Sequence, residues 1–196
     1  NLAALIAQKG LRVGVIDTDI ASPGIHVLFG LEERNIQHAL NDYLWGRCNI
    51  SQAAHDVTAN LGITNQGKVF LIPSSLKAGE IAKVLREGYD VGLLHDGFND
   101  LIDALNLDFL MIDTHPGVNE ETLLSIAISD MLLIILRPDQ QDFQGTAVTV
   151  EVARKLEVAN MLLMVNKVPT VFNFSEVKAN VERTYNTTVA AVLPHS

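Results

Sequence analysis

A doubly wound α/β sandwich, with a mainly parallel sheet and helices on both faces, is the fold class that the sequence predicts. Three observations carry this expectation. Short apolar runs rich in Val, Ile, Leu and Met recur with little polar alternation, as in strands buried on both faces. Segments with apolar residues at helical spacing lie between those runs. The two kinds of segment alternate along the whole sequence, which favours crossover units over hairpins.

The chain opens at Asn1 on Leu-Ala-Ala-Leu-Ile-Ala-Gln-Lys-Gly, which reads as the middle and end of a helix, with Gly10 where a helix stops. Strands are expected over Arg12–Asp17, 69–74, Phe109–Asp113, 131–137, 161–166 and 189–193. A buried helical turn has the same composition, but these lengths favour strands. Helical spacing links Ile36, Ala39, Leu40, Tyr43 and Leu44, and again Leu94, Phe98, Leu101, Ile102 and Leu105. Asn119 followed by Glu120 and Glu121 reads as a capped helix start, with acids placed where the helix dipole favours them. Helices over 146–156 and 175–185 complete the set, with Ser175 as the cap of the second. The stretch 60–68 is a polar connection, so one domain is expected over residues 1–196.

Hydrophobic residues make up 48% of the chain and charged residues 19%, enough apolar material for a sizeable core. The net charge of −9 argues against a protein that coats nucleic acid or an anionic membrane, since both reward basic surfaces. Cys48 is the single cysteine, so neither an internal disulfide nor a C-x-x-C metal site can form. No run of 18 apolar residues and no signal-peptide layout is present, and a cytoplasmic location fits best.

Function in open α/β sheets gathers at the carboxyl ends of the strands. There the sequence places Asp17-Thr18-Asp19, Asp113-Thr114-His115-Pro116-Gly117, Asn166-Lys167 and Pro194-His195-Ser196. An Asp that closes an apolar strand is costly to bury unless its charge is offset. A hydrated Mg²⁺ offsets it, because that ion keeps several waters and uses one or two carboxylates. A second carboxylate nearby can orient or deprotonate a water. An Asn amide offers a donor and an acceptor to a purine edge. The blander alternatives stay open: Asp113 as a loop hydrogen-bonder, Asn166 and His115 as turn residues, Cys48 as a small half-buried side chain.

The stretch L-A-A-L-I-A-Q-K-G-L-R-V-G-V-I-D-T-D-I, residues 2–20, resembles the segment after the phosphate loop in MinD/ParA-type ATPases, the deviant Walker A P-loop family. The similarity continues through S-P-G-I-H-V-L-F-G-L at 22–31, F-L-M-I-D-T-H-P-G at 109–117, L-L-M-V-N-K-V at 162–168 and V-L-P-H-S at 192–196. In this family's order these correspond to the Walker B strand with the second switch and to two segments beside the adenine.

The resemblance implies roles. Asp19 matches the residue that activates the hydrolytic water, and Asp17 stands near the metal's water shell. Asp113 is the Walker B carboxylate that holds Mg²⁺ through water. Gly117 lets the second switch move. Asn166 and the backbone at Pro194 hold the adenine. Residues 137–146 fall where relatives place a loop at the dimer face, with Asp139 in it.

The family's K-G-G-V-G-K-T loop and the strand before it do not occur among the 196 residues. They are expected immediately before Asn1, so the stretch reads as truncated at its N-terminus, and alone it should bind ATP poorly. The function implied is an ATPase that uses ATP and Mg²⁺ as a dimerisation switch in intracellular positioning, such as division-site selection or partition. Its partners would be a second copy, an activating protein, and a membrane or nucleoid platform. The main alternative is a non-catalytic scaffold on a degenerate NTPase fold. An iron–sulfur carrier conflicts with the single cysteine. A ligase acting on a small molecule is the remaining alternative.

Overall fold

The computed structural model describes residues 1–115, 117 and 119–195. Pro116 and Ser196, which belong to the motifs quoted above, lie outside the described residues. The chain forms two compact units, Asn1–Pro116 and Gly117–Ser196.

The first unit begins with α1 (Leu2–Ala7) and β1 (Arg12–Asp17), followed by α2 (Ile25–Leu28) and α3 (Leu40–Leu44). After these come β2 (His55–Asp56), β3 (Lys68–Ile72), α4 (Ala78–Glu87), α5 (Gly92–Leu105) and β4 (Phe109–Asp113). Its four-stranded sheet has the order β2-β3-β1-β4. β1 pairs in parallel with both β3 and β4, and β2 adds an antiparallel edge to β3. The Val-Gly-Val-Ile-Asp stretch of β1 is buried throughout, as its unbroken apolar run requires. Val13, Val15, Val69 and Leu71 share a core with Ala3 and Ala7 of α1 and with Phe29, Val57 and Ile63. Gly67 permits the close approach of α1: a Cβ there would stand 1.9 Å from the Ala7 carbonyl oxygen.

The second unit contains α6 (Glu120–Ile128), β5 (Leu132–Leu136), α7 (Gln140–Lys155), β6 (Met161–Val168), α8 (Phe174–Tyr185) and β7 (Val189–Pro194). Its three strands run parallel in the order β5-β6-β7. Ile134, Leu136, Val150, Leu163, Val165, Val181 and Val189 form its core, closed by Tyr185, whose hydroxyl donates to the Phe143 carbonyl at 2.8 Å.

Parallel strands alternating with helices give the doubly wound class expected, with the strands distributed between two sheets. β1 and β4 match their expected bounds, and the Asn119 cap is present, accepting from Thr122 N at 2.8 Å. Three expectations are corrected. The helix expected from residue 146 starts at Gln140, because the Asp139 carboxylate accepts from Asp142 N at 2.9 Å and caps it there. Residues 140–146 are therefore helical, and Asp139 is a cap that also pairs with Arg137 at 3.3 Å. The last helix is capped by Asn173, not Ser175, since the Asn173 side chain accepts from Ser175 N and Glu176 N. The segment Ala78–Glu87 is a helix that apolar spacing did not reveal; it buries no residue fully.

Candidate functional site

The parallel register of β1 and β4 pairs Asp17 with Asp113, so two carboxylates close adjacent strands at one edge. The next residue ties the strand ends together: Thr18 donates to the Asp113 carbonyl through its N–H at 2.9 Å and its hydroxyl at 2.8 Å. Asp17 is only 2% exposed, and its Oδ1 accepts from Asp19 N at 3.0 Å. The Asp19 carboxylate in turn accepts from Ser22 N at 3.1 Å. The turn therefore closes on itself, with Asp19 carried at its outer corner.

Burial is the main reason that the Asp17 carboxyl titrates at about 6 instead of its ordinary 3.8. The backbone N–H groups of Asp19 and Gly24 favour its charged form, while the charges of Asp113 and Asp19 oppose it. Desolvation, then the Asp19 charge, raises the Asp113 carboxyl as well, although that residue keeps an exposed side. An edge that concentrates negative charge in this way gains from a cation. Among the described residues no group of three or more His, Cys, Asp or Glu is placed to hold a metal ion. Asp17 and Asp113 are oxygen donors of the kind a hydrated divalent cation uses one or two of.

His115, expected as a solvated turn residue, lies with Nε2 3.9 Å from the Asp19 Oδ1. Ser74 was missed altogether: it is fully buried and its hydroxyl donates to the Asp17 carbonyl at 2.8 Å. The rule that points to strand ends would have found it, since Pro73-Ser74-Ser75 directly follows β3. A cleft of about 340 Å³ lined by Tyr43, Asn49, Ser51, Asp100 and Asp103 includes none of the three carboxylates.

In the second unit, Asn166 and Pro194 stand at the carboxyl ends of neighbouring parallel strands. Register shifts between Val165 and Val168, where Lys167 adopts a φ of 56°. Asn166 Oδ1 accepts from Lys167 N at 2.9 Å, which ties the amide to the irregular turn. Pairing resumes at Val168 opposite Pro194, and His195 N donates to the Val168 carbonyl at 2.9 Å. Gly117 has a φ of 119°, a region that favours glycine, and a Cβ there would meet nothing within 4 Å.

Among the described residues no helix is long and apolar enough to cross a membrane.

A family model described as an AAA domain matches residues 1–165. An uncharacterized ATP-binding protein of Methanocaldococcus jannaschii is 26% identical over 194 residues, covering 99% of this chain and 67% of that protein. The flagellum site-determining protein YlxH of Helicobacter pylori is 30% identical over 141 residues, covering 71% of this chain and 42% of that protein. The septum site-determining protein MinD of Pyrococcus horikoshii, solved in complex with Mg-ADP, has the same fold. It aligns with a TM-score of 0.77 at 16% identity, over 100% of this chain and 73% of that one. The chain thus spans about two thirds of the first relative and under half of the second. The matched family model and the strand-end motifs lead to one conclusion: the chain belongs to the AAA domain family, among the MinD/ParA-type P-loop ATPases.

Proposed function

We propose that the protein binds ATP with Mg²⁺ and hydrolyses it as a dimerisation switch in intracellular positioning. The observation that carries this reading is the paired carboxylate edge: buried Asp17 beside the more exposed Asp113 in register, with Asp19 next along the turn. Asp113 would hold the hydrated ion, with Asp17 beside it. Mg²⁺, when bound, supplies charge neutralisation at the phosphates. Asp19 orients and deprotonates the attacking water. Asn166 and the Pro194 backbone hold the adenine, and Gly117 gives the second switch its freedom.

Residues 1–196 act as part of a single ATPase domain. The partners are a second copy and an activating protein, acting in the cytoplasm or at a membrane surface.

The test uses the full-length protein. Asp19→Ala should lower phosphate release ~10²–10⁴-fold, the usual contribution of a general base. ATP affinity should hold, and the ATP-bound dimer should persist in light scattering. Near-normal hydrolysis by this variant removes Asp19 from catalysis. ATP-independent association, with no nucleotide bound, favours the scaffold instead.

A further inference from the structure

The three residues after β3 are held from both sides. Leu40 N, at the start of α3, donates to the Pro73 carbonyl at 2.8 Å. The next residue of α3, Asn41, is 1% exposed, and its Oδ1 accepts from Ser75 N at 2.7 Å. Between these two anchors, Ser74 donates to the Asp17 carbonyl. Helix α3 therefore fixes the segment, and the segment fixes the turn that carries Asp19.

One detail shows that this arrangement is not ordinary packing. Among the described residues Asn41 Nδ2 finds no hydrogen-bond partner, although it is buried. A buried unpaired donor costs free energy, and an apolar side chain of similar size would avoid the cost. What the amide offers in return is its Oδ1, which accepts from the Ser75 N–H.

We propose that Ser74 and Asn41 are positioning residues for Asp19. The inference rests on the reading of Asp19 as the group that activates water. Asn41 sets the 73–75 segment, and Ser74 sets the Asp17 carbonyl. Asp17 Oδ1 then sets the Asp19 backbone, opposite the Thr18 bonds to the Asp113 carbonyl. Neither residue touches the reacting atoms. Their effect is on where the Asp19 carboxylate stands, and small misplacements of a catalytic group are expensive.

The experiment is a double-mutant cycle in the full-length protein, read by single-turnover phosphate release. Ser74→Ala should slow hydrolysis about tenfold or more while the ATP dissociation constant moves less than about twofold. In the Asp19→Ala background the same change should have no further effect, because residues that act as a unit are not additive. Asn41→Ala should follow the same pattern. Amide hydrogen exchange without nucleotide is the second measurement: the Thr18 and Asp19 amides should exchange faster in both variants. Equal slowing by Ser74→Ala with and without Asp19 overturns the proposal, as does unchanged turnover. If the full chain hydrolyses no ATP, the functional reading fails by itself. Exchange then decides whether these two residues hold the turn, and unchanged exchange rejects them.

Discussion

The carboxyl ends of β1 and β4 differ in kind from those of β6 and β7. At the first, the backbone is bonded on every side, with Thr18 on the Asp113 carbonyl and Ser74 on the Asp17 carbonyl. Its central carboxylate is removed from water. At the second, the register slips, Asn166 is half-buried and Pro194 is exposed. Under the proposed function the difference matches what each end would have to do. Charge handling in a low-dielectric site needs groups fixed before the reaction begins. Contacts to a flat base need only an accessible edge, and a bulge that re-aims one amide suffices. The two ends should therefore respond differently to substitution.

The largest expected effect is on stability at the carboxylate edge. Folding raises the Asp17 carboxyl to about 6, so the folded chain holds this proton over a pH range in which the unfolded chain has released it. The stabilisation is complete below the unfolded value near 3.8 and is lost as pH rises through about 6. At pH 8 the ionised group costs on the order of 3 kcal/mol, taking about 1.4 kcal/mol per pH unit. Asp17→Asn keeps an oxygen for Asp19 N and removes the charge. In nucleotide-free, metal-free protein it should raise the urea midpoint at pH 8 and leave it unchanged near pH 4. A destabilised variant at pH 8 would show that the carboxylate is already compensated by the protein alone. At the other end, Asn166→Asp should produce no such pH-dependent gain.

The metal comes next. If Asp113 grips the ion through water, Asp113→Asn should weaken Mg²⁺ ~10–100-fold, as loss of an outer partner does. Nucleotide affinity measured in EDTA should not move. Titration calorimetry with the nucleotide saturated separates the two. Equal Mg²⁺ affinity in variant and parent would exclude Asp113 as a holder of the ion. A change at Asn166 should do the reverse, weakening nucleotide equally with and without Mg²⁺.

How much of this was legible beforehand also divides along the same line. β1 and β4 could be read to the residue because each is an unbroken apolar run closed by Asp. Their neighbouring register follows from the topology, which runs alone do not give. The bonds of Asn41 to Ser75 and of Ser74 to Asp17 join segments 34 and 57 residues apart, and no periodicity encodes such a bond. The Pro-Gly neighbours of His115 indicate a turn, a local rule that is blind to Asp19 in the turn after β1. Apolar spacing places the helix starts at 146 and 175, six and one residues beyond Gln140 and Phe174, because an upstream acceptor, Asp139 or Asn173, caps each helix earlier. The two-residue strand β2 is too short for any alternation to appear.

The smallest expected effect is at Asn166. Its Oδ1 already accepts from Lys167 N at 2.9 Å, and its NH₂ is the group proposed to donate to a ring nitrogen of the base. A neutral hydrogen bond contributes about 0.5–1.5 kcal/mol, which corresponds to ~2–12-fold in affinity. Asn166→Ala should therefore weaken ATP several-fold. The same change also frees Lys167 N and removes a support of the bulge, where Lys167 holds a φ of 56°. Asn166→Asp separates the two effects, because it keeps the acceptor for Lys167 N and deletes the donor. Both variants should lose affinity for ATP to a similar extent and bind inorganic tripolyphosphate as the parent does. If Asn166→Ala weakens tripolyphosphate as much as ATP while Asn166→Asp weakens neither, the side chain serves the bulge and not the base.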